Sequence, residues 1–94
     1  MPSAPANLTA TAILKSQINL SWTDNSNNET GFKIERSTGK LPFAQIAIVG
    51  ENVTSYANNT GLTAGTSYSY RVSAYNATGD SAYSNTANAR TKPK

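Results

Sequence analysis

Large apolar side chains recur at every second position through residues 66–75. Tyr68, Tyr70, Val72 and Ala74 share one phase, and Ser67, Ser69, Arg71 and Ser73 share the other. A period of two predicts a β-strand with one buried face and one wet face. The same alternation places Ile18, Leu20 and Trp22 together in residues 17–22, and Phe32 with Ile34 in residues 32–36. Further strands are predicted over 7–13, 43–49, 53–56 and 83–91, the last with Ala87 and Ala89 inward. Seven short strands with turns roughly every eight to twelve residues predict a β-sandwich or barrel. The connections agree. Residues 24–31 are rich in Asp, Asn and Ser, whose side chains bond their own backbone. Residues 37–42 and 76–80 read as hairpin turns. No segment has a helical period, and no internal repeat divides the chain.

Composition narrows this picture. The 94 residues suffice for one small domain. There is no cysteine, so packing and backbone hydrogen bonds must hold the fold. Charged residues make up 14%, against roughly 25% in an average soluble domain. Ser, Thr and Asn fill the gap with 34 positions, a surface suited to an exported protein. Disorder is the competing reading, and the alternating strands and six Tyr and Trp residues oppose it. The net charge is +3, but Lys92 and Lys94 lie beyond the last strand and the other basic residues are scattered. A nucleic-acid binder should carry a basic stripe, so no nucleic-acid partner is expected. No apolar run approaches a membrane span and no signal peptide is seen, so no membrane partner is expected. The domain is read as residues 4–91. Residues 1–3 look like an added start on a piece of a longer protein, and 92–94 like the start of a linker.

Catalysis is not expected. The chain has no histidine and no cysteine, and no serine in a nucleophile motif. Its five acids are Asp24, Glu29, Glu35, Glu51 and Asp80. Four fall in loops or turns, and Glu35 takes a solvent-facing strand position. Asp24, Ser26 and Asn28 alternate like the first ligands of a calcium loop, but Glu29 stands where that pattern needs glycine. No metal and no cofactor are therefore expected. Six Asn-X-Ser/Thr triplets, at Asn7, Asn19, Asn28, Asn52, Asn58 and Asn76, fit chance in so polar a chain.

A tyrosine opening a long strand six residues after a leucine, as Tyr68 follows Leu62, resembles the tyrosine corner of Greek-key sandwiches. The motifs around it run in one order. Pro5-Ala6-Asn7-Leu8 opens the chain, then come Leu20-Ser21-Trp22 and Gly31-Phe32-Lys33-Ile34-Glu35-Arg36. The corner and its strand follow, and then Gly79, Ser81 and Ser84. In this the chain resembles a fibronectin type III domain of the kind found in bacterial secreted glycoside hydrolases and surface proteins. The resemblance implies an all-β, immunoglobulin-like Greek-key sandwich of seven antiparallel strands in sheets of three and four. It makes Trp22, Leu62 and Tyr68 structural, and it sets Glu35 and Arg71 outward on strands that pair, so the two are expected to form a cross-strand pair. The adhesive Arg-Gly-Asp of some relatives is missing, because no arginine precedes Gly79-Asp80.

The resemblance also implies a non-catalytic, monomeric spacer in a larger exported protein, with neighbouring domains of that protein as its partners. The alternative is a module binding polysaccharide or a surface protein. Tyr75 and Tyr83, flanking the last hairpin, are the candidate contact residues for it. A selected binding scaffold is a third reading, disfavoured by loops without Tyr and Trp clusters.

Overall fold

The computed structural model describes residues 2–38, 42–59 and 61–93. Residues 39–41 of the expected 37–42 turn, Lys40 among them, lie outside these, as do Met1, Lys94 and the Thr60 of one triplet. Every regular element described is a strand: β1 (Ala6–Leu14), β2 (Gln17–Thr23), β3 (Gly31–Thr38), β4 (Ala44–Gly50), β5 (Ser55–Asn58), β6 (Ser67–Asn76), β7 (Gly79–Asp80) and β8 (Ala87–Arg90). One antiparallel sheet has the order β1-β2-β5. The other runs β4-β3-β6, with β7 and β8 both bonded to the free edge of β6. The result is a two-sheet sandwich, one of the two architectures that the alternation predicts, and of the immunoglobulin-like kind that the resemblance implies.

The strand count is eight, against the seven expected, and the larger sheet has five strands where four were expected. The extra strand is β7, which forms within the expected 76–80 turn, and the expected 83–91 strand is cut to β8. β7 pairs with Tyr75 and Asn76, and β8 pairs with residues 67–70. Between these pairings six residues, 81–86, face only four of β6, so a regular ladder cannot run through. Two serines bridge the mismatch. Ala74 N–H donates to Ser81 Oγ (2.8 Å), and Ser81 N–H donates to the Ala74 carbonyl (2.7 Å). Val72 and Ser84 repeat the exchange at 3.0 and 2.7 Å. Each hydroxyl thus accepts where a partner strand's carbonyl would.

β5 is also displaced, to residues 55–58 from the expected 53–56. Its inward residues are Tyr56, which is half-buried, and Asn58, which is 1% exposed. A polar inward residue breaks the apolar alternation, which is why the pattern ended early. Asn58 Oδ1 accepts from the Tyr70 hydroxyl (2.7 Å) and from Arg36 Nη1 (3.1 Å). Burial pushes the Tyr70 phenol up to about 12, with the nearby Arg36 charge opposing.

The core lies between the sheets. It contains Leu8, Ile18, Leu20, Trp22, Phe32, Ile34, Tyr68, Tyr70, Val72, Ala74 and Ala87. Trp22 and Phe32 meet at a tilt of 59° with ring centroids 5.6 Å apart, a favourable aromatic geometry. Gly31 is required by the β3–β4 approach, since a β-carbon there would collide with the Val49 carbonyl oxygen. β1 is an edge strand whose open side is partly covered by one side chain. Leu8 N–H donates to Asn85 Oδ1 (2.8 Å), and Asn85 Nδ2 donates back to the Leu8 carbonyl (3.0 Å). That blunts an edge open to pairing with another chain.

Candidate functional site

Three groups of side chains combine chemistry with position. The first lies on the outer face of the larger sheet. The β3–β6 register sets Glu35 opposite Arg71, Lys33 opposite Ser73 and Gly31 opposite Tyr75. Arg71 Nε donates to Glu35 Oε1 at 2.6 Å. The pairing was legible in the sequence, but its setting was not. The Arg71 guanidinium carbon lies 3.7 Å from the Tyr83 ring centroid and 4.3 Å from that of Phe43. The Tyr83 hydroxyl donates to the other Glu35 oxygen at 3.2 Å. The serine ladder of residues 81–86 holds Tyr83 against β6, and this delivers its ring to Arg71. The Glu35 side chain, expected to face solvent, is only 16% exposed.

Tyr83 keeps 46% of its surface exposed. Tyr75 is half-buried beside Gly31, with Lys33 Nζ 5.3 Å from its ring centroid. The same Lys33 ammonium donates to both Asp80 oxygens at 3.0 and 3.1 Å. Both candidate contact tyrosines therefore meet outward side chains of this one sheet, each beside a paired cation. The Arg71 and Lys33 charges are matched by Glu35 and Asp80, so a ligand at the two tyrosines would meet aromatic rings and neutralised ion pairs. Phe43, expected to open the 43–49 strand, was not singled out, because strand phase cannot show that Arg71 of β6 reaches its ring.

The second group is the β2–β3 loop. Asp24 Oδ1 accepts from Ser26 N–H at 2.9 Å, an Asx turn. Glu29, expected on an open loop, is 5% exposed, and its Oε2 accepts from Asn52 N–H at 2.9 Å. The bond ties this loop to the β4–β5 turn, where Asn52 has φ 61°. Burial alone would raise the Glu29 carboxyl. Backbone amides, Asp24 and the Ser26 hydroxyl outweigh it and hold the group below its usual range. Asp24 is displaced upward, by burial first and then by Glu29, against the lowering effect of the Ser26 amide. The loop acids serve loop closure. Among the described residues no three His, Cys, Asp or Glu side chains come together as a metal site.

The third group is the corner. Tyr68 is buried, and its hydroxyl accepts from Thr63 N–H at 2.7 Å, in the turn that contains Leu62 and Gly65. Gly65 has φ 66°, a conformation that favours glycine. The Thr63 carbonyl accepts from Thr91 Oγ1 at 2.6 Å, and Thr91 Oγ1 in turn accepts from Thr66 N–H at 2.9 Å. Trp22 is buried and Leu62 packs half-buried against the core. Two shallow cavities, of about 320 and about 360 Å³, lie near the corner turn and between β2 and β5. Neither is lined by a carboxylate, so neither presents an acid–base pair to a substrate.

The family model for the fibronectin type III domain matches residues 3–90. This chain is a fibronectin type III domain. Over 81 residues it is 37% identical to part of an alpha-amylase of Niallia circulans, and 33% identical to part of exoglucanase B of Cellulomonas fimi. Each match covers 84% of this chain but only 6% and 7% of the relative. A solved Fn3-like protein from Clostridium thermocellum superposes with a TM-score of 0.80 at 29% identity, covering 99% of this chain and 95% of that one. The domain is therefore of the bacterial type, and in those two enzymes its counterpart is a small part of a long polypeptide. The domain itself carries no catalytic constellation among its described residues.

Proposed function

We propose that this fibronectin type III domain is a non-catalytic spacer in a larger exported bacterial protein, set between catalytic or carbohydrate-binding domains. One observation carries the reading. Near its start the chain runs beside the β2–β3 loop, where Asn25 Nδ2 donates to the Ala4 carbonyl and Ala6 pairs with Thr23. It leaves beside the opposite end of β1, where Lys92 N–H donates to the Leu14 carbonyl. The nine residues of β1 separate the two points, roughly 26 Å at strand rise. The sandwich is 43 Å long and 22 by 19 Å across. Neighbours attached at both ends are held apart by a packed, hydrogen-bonded body. The alpha-amylase and exoglucanase B relatives support a setting among enzymes of polysaccharides and an extracellular location as part of such a protein.

The second reading, a glycan- or protein-binding module, is favoured by Tyr83. Its ring is exposed yet oriented by Arg71 and Glu35, so contact would cost little ordering. A pull-down of the domain on insoluble polysaccharides and surface extracts separates the two. The spacer reading expects no saturable retention. Saturable retention abolished by Tyr83→Ala or Tyr75→Ala overturns it.

A further inference from the structure

We propose that the apolar end of the sandwich around Ile13, Leu14 and Leu62 is the seat of the domain that follows this one in the parent polypeptide. The inference rests on the spacer reading and adds a specific contact to it. Neighbouring strand residues face opposite sides, so a half-buried strand hides one of each adjacent pair. Ile13 and Leu14 break that rule, at 44% and 53% exposed. A register shift in the β1–β2 pairing falls between Ala12 and Leu14 and interrupts the alternation there. The next two residues, Lys15 and Ser16, join Leu62, Thr63 and Ala64 in lining the shallow cavity of about 320 Å³.

The backbone leaves the fold at the lip of this patch. Lys92 N–H donates to the Leu14 carbonyl (3.4 Å), and the Lys92 carbonyl accepts from Gly65 N–H (3.1 Å). Thr91, 2% exposed, is locked to the same turn through its hydroxyl. The exit direction is thus set by the corner. A domain attached after residue 93 is tethered beside the patch at an effective concentration in the millimolar range, so a contact too weak for free proteins is populated. The charged side chains in segments 13–17, 61–66 and 91–93 are Lys15 and Lys92, both basic. The complementary surface is therefore apolar with carboxylates at its rim.

The test is thiol protection in the parent protein. This domain has no cysteine, so Leu14→Cys introduces a reporter at a half-exposed position that the fold tolerates. Modification by a maleimide should be slower by about tenfold or more in the whole chain than in the same chain cut after this domain. Ile48→Cys, 52% exposed on β4, should react equally in both. Equal rates for Leu14→Cys in the two chains overturn the proposal. So does protection that grows with protein concentration, which would make a second copy the occupant. The polysaccharide pull-down reads the spacer function separately, so either result can fail alone.

Discussion

Replacing Ser84 by alanine isolates the device that interrupts the last strand. Val72 is fully buried, and its N–H has the Ser84 hydroxyl as ladder acceptor at 3.0 Å. Alanine keeps the β-carbon, so no sizeable cavity opens. It leaves a buried amide without its acceptor, which costs about 1–3 kcal/mol. The hydroxyl's own bond to the Asn85 carbonyl (2.9 Å) is also lost, but Asn85 is exposed and water can replace it. The expected net loss is about 2 kcal/mol, a large share of the roughly 5–15 kcal/mol typical of a domain. With a urea slope of about 1–3 kcal/mol per molar, the unfolding midpoint should fall by about 1 M. Exchange of the Val72 amide should accelerate, and Ser84→Thr should retain much of the stability if its extra methyl is accommodated. Ser67→Ala, on an exposed position, should stay within about 0.5 kcal/mol of the parent. A Ser84→Ala midpoint equal to that of Ser67→Ala, with Val72 exchange unchanged, would refute the hydroxyl-for-carbonyl account.

Four further outcomes are expected. Tyr68→Phe keeps the ring but strands Thr63 N–H, and should cost about 1–2 kcal/mol in urea unfolding. Trp22→Ala should cost about 3–5 kcal/mol; the native indole, whose Nε1–H is buried without a partner, should emit well to the blue of indole in water, as fluorescence will show. A double-mutant cycle on Glu35 and Arg71 should give coupling of about 1 kcal/mol, since the pair is half-buried and flanked by two rings, and the coupling should weaken with salt. Glu29 is held below its usual range, so its contribution is present above its unfolded value near 4.5 and lost as pH falls through the folded value. Asp24 has the opposite sign, because its raised carboxyl opposes folding while charged. Asp24→Asn should therefore stabilise the domain at pH 7 and lose that advantage in acid, as thermal unfolding across pH will reveal.

Much of this protein was legible in its sequence because alternation is a local property. The inward set Ile18, Leu20, Trp22, Phe32, Ile34, Tyr68, Tyr70 and Val72 follows from period two alone, and the corner from the resemblance that Leu62 and Tyr68 carry. The cross-strand partnership of Glu35 and Arg71 needed only the strand order of the resembled family. What tertiary structure decided is everything that depends on residues far apart meeting. Glu29 reads as a loop acid until Asn52 arrives to bury it. Asn58 reads as a strand stop until Tyr70 and Arg36 satisfy it inside. Ser81 and Ser84 look like ordinary wet positions, and only the six-against-four mismatch with β6 turns their hydroxyls into ladder acceptors. Phe43, Arg71 and Tyr83 come from three segments, and no one-dimensional pattern encodes that they stack. Solvation preference acts residue by residue and so can be read along the chain, whereas register and polar satisfaction are relations between strands that exist only once the sheets have paired.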